Sequence, residues 1–252
     1  MFIPKTDKIK KLSEIFPKNI KEFDTIVNKN TRIYIDWQNV LHWQEKLNWH
    51  FSLKRLKQFF DSFDTIQSVT IYTGTLEGNQ LSEDQIKEII DCGYILSTKP
   101  VKLMKLSIDV SSIPEDSPSI IKNFMKKKFL SFLDIDTVKY LNKKLSLLNR
   151  QGVHYIEEPK CNFDVEIGVD MLLDCERNNT DGFILWSGDS DFASSITQIR
   201  NSGKKITLVS VSGKVAPELD ETGVFIFDVR KIKEFLCFSK ELPQSIKDKI
   251  AL

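Results

Sequence analysis

Short apolar runs rich in β-branched and aromatic residues alternate along the chain with longer stretches of helical periodicity. The runs at 32–36, 69–73, 94–97, 153–156, 183–186, 205–210 and 224–227 predict strands, and most are continuously apolar, as in a parallel sheet buried on both faces. Between them the spacing predicts helices over 53–62, 82–92, 164–178 and 192–201. On the last but one, Val165, Val169 and Leu172 fall on one face. The βαβα order predicts an α/β fold, a three-layer, doubly wound, mostly parallel sheet.

Two regions fall outside this alternation. Residues 1–30 form a Lys-rich amphipathic lead with a helix near 8–16, then Pro17 and a second short helix, an N-terminal extension packed on the core. Residues 101–150 open with the loop SSIPEDSPS and continue as a helical stretch over 120–150 that carries Lys126, Lys127 and Lys128 in a row. They read as an insertion in a domain spanning 31–230, with 231–252 as a C-terminal tail.

Composition narrows the function classes. With 252 residues, 41% hydrophobic and 28% charged, the chain buries a core without help from disulfides or metal. Cys92, Cys161, Cys175 and Cys237 lack CxxC spacing, and His42, His50 and His154 pair with none of them as zinc ligands do. No apolar run reaches the roughly 18 residues of a membrane span. The start, MFIPKTDKIKKLSEIF, interleaves charge with apolar residues, unlike a secretory signal. The expectation is a cytoplasmic protein with no membrane partner. Although the net charge is only +1, residues 99–150 hold 11 basic and 5 acidic side chains, and 151–230 hold 7 and 14. A basic block beside an acidic one suits an anionic polymer held near a carboxylate-bound cation, and solvated helix faces give the same count.

Reactive groups in open parallel sheets gather at the carboxyl ends of strands. The first strand runs into Asp36, Trp37, Gln38 and Asn39; an Asx turn would use the same residues. The run GFILW ends in Ser187, Gly188, Asp189, Ser190 and Asp191, two carboxylates on a Gly-containing loop, with Asp191 the better placed to cap the helix that follows. Asp164 opens a helix after Lys160, Cys161, Asn162 and Phe163. Asp170 and Asp174, 6 and 10 residues on, lie on other faces of that helix and are secondary candidates. Hard oxygen ligands of this kind suit Mg²⁺ or Mn²⁺, which takes one or two carboxylates, keeps water and accepts phosphate oxygens. The implied chemistry is phosphodiester hydrolysis. No GxGxxG or GxxxxGK[ST] occurs to cradle a nucleotide cofactor.

Taken together, YIDWQN, then KCNFDVEIGVD, then WSGDSDF followed by GKKITLVS, resemble the NYN or LabA-like branch of the PIN-like ribonuclease superfamily over about residues 31–230. The resemblance implies a three-layer α/β fold, an acidic Mg²⁺ or Mn²⁺ centre and endonucleolytic action on RNA. Asp36, Asn39, Asp164, Asp170, Asp189 and Asp191 fall on the family's positions. Of these, Asp36, Asp164, Asp189 and Asp191 are the expected metal ligands, with Asn39 orienting water or phosphate. The family's Lys lies three residues before its Asp, whereas Lys160 lies four before Asp164. Lys126, Lys127, Lys128, Lys143, Lys144 and Lys160 are candidates for RNA phosphates, Ser187 for the substrate, and Trp37 for base stacking, although Trp37, Trp43 and Trp49 also fit a core. A non-catalytic RNA-binding module is the alternative, followed by a metal-dependent phosphatase for small esters. A homo-oligomer is compatible with the chain.

Overall fold

The computed structural model describes residues 1–125, 127–211 and 216–250. Of the expected lysine run, Lys126 lies outside the described residues, and for Lys127 only the backbone is described. The chain divides into two compact units, one formed by Met1–Pro100 with Asn162–Leu252 and the other by Val101–Cys161.

In the first unit α1 (Asp7–Ile15) and α2 (Pro17–Asp24) precede β1 (Thr31–Asp36), α3 (Trp37–Leu47), α4 (Leu53–Phe60), β2 (Ile66–Thr75), α5 (Gln80–Asp91) and β3 (Ile95–Pro100). In the second, β4 (Lys102–Ser107), two 3-10 turns (Ile121–Phe124 and Lys127–Phe132), α6 (Ile135–Arg150) and β5 (Tyr155–Lys160) follow. The first unit then resumes with α7 (Asp164–Glu176), β6 (Gly182–Trp186), α8 (Ala193–Asn201), β7 (Lys205–Ser210), α9 (Pro217–Glu221), β8 (Phe225–Asp228), α10 (Lys233–Leu236) and α11 (Gln244–Ile250). Among the described residues no helix is long and apolar enough to cross a membrane.

The sheet of the first unit has six described strands in the order β3-β2-β1-β6-β7-β8, all parallel. From β1 the chain winds outward to β2 and β3, then returns to the other side of β1 for β6, β7 and β8. Strand order therefore reverses between β1 and β6, which opens a crevice at their carboxyl ends. The two sheet faces follow the pleat. Ile33 and Ile35 of β1, Ile184 and Trp186 of β6 and Val209 of β7 join one core with residues from α1 to α5 and α10. On the opposite face Tyr34 stacks on Phe183 at 6.1 Å, and α7 and α8 pack there with Ile167, Met171, Ile196 and Ile199 fully buried. The doubly wound, three-layer expectation is met.

Several expectations are corrected by packing. Residues 1–30 and 231–250 are integral to the core: Leu12, Phe23, Ile232, Phe235 and Leu236 are fully buried in it, and Phe23 touches Phe59, Phe63 and Phe227. The run at 153–156 joins no parallel sheet. Its second half, Tyr155 and Ile156, begins β5, which pairs antiparallel with β4, a strand missing from the sequence reading. The inserted unit thus runs to Cys161 rather than 150. Its helical stretch is broken, with two 3-10 turns before α6, because Asp134 caps α6 by accepting from the Thr137 N–H at 2.8 Å. Within it α6 pins two loops through amide side chains: Asn142 donates to the carbonyls of Glu115 and Ser117, each at 2.8 Å, and Asn149 donates to those of Ile108 and Val153.

On α7 the Val165, Val169 and Leu172 face turns outward, with Val165 74% exposed. The sheet side instead carries Ile167, Met171 and Cys175 together with two acids. Tyr72 donates to Asp170 at 2.8 Å and Tyr34 to Asp174 at 2.7 Å, and Asp174 also pairs with Arg32. Buried hydroxyls need acceptors, so here carboxylates occupy the inner face of an otherwise apolar helix.

Candidate acidic centre at the strand-order switch

Asp36 ends β1, and its carboxylate begins α3 by accepting from the Asn39 N–H at 3.2 Å. That cap converts WQNVLHWQEKL into a helix, and it seats Val40 and Trp43 in the core. Asn39 returns to the same acid, donating from its Nδ2 to Asp36 Oδ2 at 2.8 Å, and its Oδ1 accepts from the Gly188 N–H at 3.4 Å. One side chain therefore ties the end of β1 to the loop after β6, and these strands are direct neighbours with Ile35 opposite Trp186. Asn39 thus bridges the Asp36 carboxylate and the Gly188 backbone.

In that loop Ser187 is fully buried and its Oγ accepts from the Asp189 N–H at 3.2 Å. Asp189 then accepts from the Asp191 N–H at 3.2 Å and caps the 3-10 turn Ser190–Phe192. The cap is Asp189 and not Asp191, because the turn begins two residues earlier than the helical pattern does. Asp189 is half-buried and Asp191 exposed. Asp164 occupies the first position of α7, where the Asn162 side chain accepts from its N–H at 2.7 Å. Its carboxylate benefits from the helix N-terminus without capping it.

The carboxylates sense one another. Burial pushes Asp36 up from the ordinary carboxylate range; its two bonds from Asn39 pull it back, and the charge of Asp189 pushes it up again. Asp164 is raised to about 6, first by burial and then by the negative charges of Asp189, Asp36 and Asp191. Asp36, Asp164, Asp189 and Asp191 thus form one electrostatic cluster at the switch point, drawn from β1, α7 and the loop after β6. Asp170 and Asp174 are engaged by tyrosine hydroxyls instead. As a donor set the cluster consists of hard oxygens that repel each other, which fits Mg²⁺ or Mn²⁺. Among the described residues no three His, Cys, Asp or Glu side chains stand close enough together to hold an ion between them. An ion here would rest on one or two carboxylates with water in its other positions, the usual arrangement for Mg²⁺.

A cleft of about 380 Å³ adjoins the cluster, lined by Asn39, His42, Trp43 and Lys46 of α3, Asp189 of the β6 loop and Ser210 at the end of β7, among others. His42, Lys46 and Ser210 were not among the site residues expected from the sequence. Their signal was the spacing of Asn39, His42 and Lys46, three and then four residues apart, which one face of a helix requires. Trp37 is 2% exposed, and Trp43 and Trp49 are buried too, so all three are core residues, and Trp37 offers no open ring face for stacking. In the second unit Lys128 is exposed with its Nζ 5.0 Å from the Phe129 ring centre, Lys143 and Lys144 are exposed on α6, and Lys160 is exposed at the end of β5 opposite Lys102.

The NYN domain family model matches residues 126–228. Over that span this chain resembles the NYN domain family. Asp164, Asp170, Asp189 and Asp191 lie inside the matched span, and Asp36 and Asn39 precede it. The low amplitude and bright protein LabA of Synechococcus elongatus is 25% identical over 205 residues, which cover 81% of this chain and 86% of LabA. The crystal structure of a Vibrio parahaemolyticus protein of unknown function shares the fold, with a TM-score of 0.50 at 17% identity over 83% of this chain and 97% of that one. An NYN domain points to nuclease or RNA-binding work.

Proposed function

We propose that this NYN-domain protein is a Mg²⁺- or Mn²⁺-dependent endoribonuclease that hydrolyses RNA phosphodiester bonds at the switch-point carboxylates. The observation that carries this reading is the gathering of Asp36, Asp164, Asp189 and Asp191 at the strand-order switch, where burial first and then their mutual repulsion raise Asp36 and Asp164, the latter to about 6. Several negative charges facing an anionic polymer are repulsive unless a cation lies between them. Asp36, Asp164 and Asp189 hold the ion directly or through water, and Asp191 completes the acidic rim. Asn39 keeps Asp36 and the Gly188 backbone in register, so the ligands are set before substrate arrives. When bound, a divalent ion lowers the pKa of the attacking water, polarises the phosphoryl group and stabilises the leaving alkoxide. Ion binding competes with the proton on Asp164 and weakens as pH falls through about 6.

RNA is the proposed partner, with Lys128, Lys143, Lys144 and Lys160 neutralising phosphates, and with Lys126 and Lys127 proposed for the same role from the sequence alone. A cytoplasmic location suits a fold held by its apolar core rather than by disulfides. The test is cleavage of end-labelled single-stranded and hairpin RNAs, with matched DNAs, in Mg²⁺ or Mn²⁺ and in EDTA, for wild type and Asp189→Asn. Metal-dependent RNA cutting lost in the variant supports the reading. Folded protein that binds RNA with a steep salt dependence and cuts nothing replaces it with a non-catalytic RNA-binding module. Turnover of small phosphate esters that survives charge reversal of the lysines replaces it with a phosphatase.

A further inference from the structure

The cleft beside the cluster has a composition that the acidic centre does not explain. Its α3 wall presents His42 and Lys46, both exposed, and neither makes a hydrogen bond or ion pair among the described residues. Ser210, 2% exposed, also lines the cleft, and its hydroxyl likewise has no hydrogen-bond partner among the described residues. Trp43 supplies an apolar part of the wall. At about 380 Å³ the space lies at the small end of ligand pockets, which run from about 300 to 1,000 Å³. One nucleotide suits that size better than a dinucleotide cofactor does. Asp189 and Asn39 line the cleft as well, so whatever sits there is adjacent to the metal-binding carboxylates.

We infer that this cleft seats the nucleotide next to the scissile phosphate, with His42 and Lys46 holding that nucleotide's own phosphate and Ser210 bonding its sugar. The inference rests on the ribonuclease reading and deepens it by assigning a substrate subsite to α3. Lys46 contributes a point charge and His42 a ring N–H, a pair that fits a phosphate oxyanion. Asp189 repels that phosphate from the acidic end, so the cleft has a polarity: its basic α3 end takes the neighbouring phosphate and its acidic end takes the scissile one through the ion.

The test uses the full chain and the exposed positions His42→Ala, Lys46→Ala and Lys46→Arg, with a fluorescein-labelled single-stranded RNA and uridine 5′-monophosphate as probes. Expected for the His42→Ala/Lys46→Ala double variant is a KM for RNA cleavage raised about tenfold or more, with kcat within about threefold of wild type. The slope of log binding constant against log salt falls by about 0.7 for Lys46→Ala and recovers in Lys46→Arg. Uridine monophosphate binding, followed by titration in EDTA, weakens in parallel and persists in Asp189→Asn. Active wild type whose KM, salt slope and mononucleotide affinity are unchanged in the variants overturns the subsite and leaves the ribonuclease reading standing. Inactive wild type whose mononucleotide binding is lost in the His42 and Lys46 variants retains the subsite and removes the ribonuclease reading. Wild type that binds neither probe overturns the inference outright.

Discussion

Replacing Asp164 by Asn removes one member of a self-repelling cluster while keeping its shape, so the change isolates electrostatics. In the folded chain the Asp164 carboxyl titrates at about 6 against an ordinary 3.8. The unfolded chain releases this proton near pH 4 and the native chain only near pH 6, so native protein binds more protons within that window. Stability therefore falls as pH rises through the window, and the full loss is present above it. A displacement of that size corresponds to about 3 kcal/mol. Solvent reaches the half-exposed carboxylate and screens away roughly half, and the first turn of α7 favours the charged form by about 0.5 kcal/mol, which Asn forfeits. What remains is about 1 kcal/mol in favour of Asn above pH 7, shrinking toward zero near pH 4. For a chain of this size that raises Tm by about 2–4 °C. The assay is thermal unfolding in EDTA from pH 4.5 to 7.5. A variant no more stable than wild type at pH 7.5, or a gap that does not widen with pH, refutes the argument. With Mg²⁺ added, wild type gains more Tm than the variant, because only native protein with its carboxylates intact binds the ion well.

Asn39→Ala removes the amide bridge between Asp36 and Gly188; urea unfolding is expected to show a loss of about 1–2 kcal/mol, with a higher Mg²⁺ concentration needed for half-maximal cleavage. In Gly182→Ala the new Cβ would stand 2.6 Å from the buried Thr31 Oγ1, and the resulting overpacking costs about 1–3 kcal/mol by the same measurement. Asp174→Ala strips the acceptor from Tyr34 and the partner from Arg32, costing about 3 kcal/mol. Because Asp174 lies about 15 Å along α7 from Asp164, cleavage per folded molecule should be unchanged.

The strands of the main sheet were legible because burial on both faces leaves uninterrupted apolar runs, and the acidic positions were legible because they end those runs. Less of α3 could be read. Its inward residues Val40 and Trp43 have helical spacing, but the segment begins immediately at the strand's last residue, with no connecting loop to mark the change of period. The inner face of α7 misled for a different reason: hydrophobicity selects Val165 and Val169, whereas Tyr34 and Tyr72 project hydroxyls from the sheet and require Asp174 and Asp170 as neighbours. Partners 98 and 140 residues away in sequence cannot be found from local periodicity. The terminal segments looked like appendages because each is short and Lys-rich, and only tertiary contact shows Phe23 and Phe235 meeting at Phe59.

The chain leaves the sheet unit at Pro100, the carboxyl end of β3, and re-enters at Asn162, two residues before Asp164. Both junctions belong to the rim that carries the carboxylates, where a doubly wound sheet tolerates variation without disturbing its strands. Lengthening such a connection tenfold costs only about 2 kcal/mol of closure entropy. The connection between β3 and α7 therefore accepts an inserted piece at small entropic cost, on the same rim as Asp36, Asp164 and Asp189.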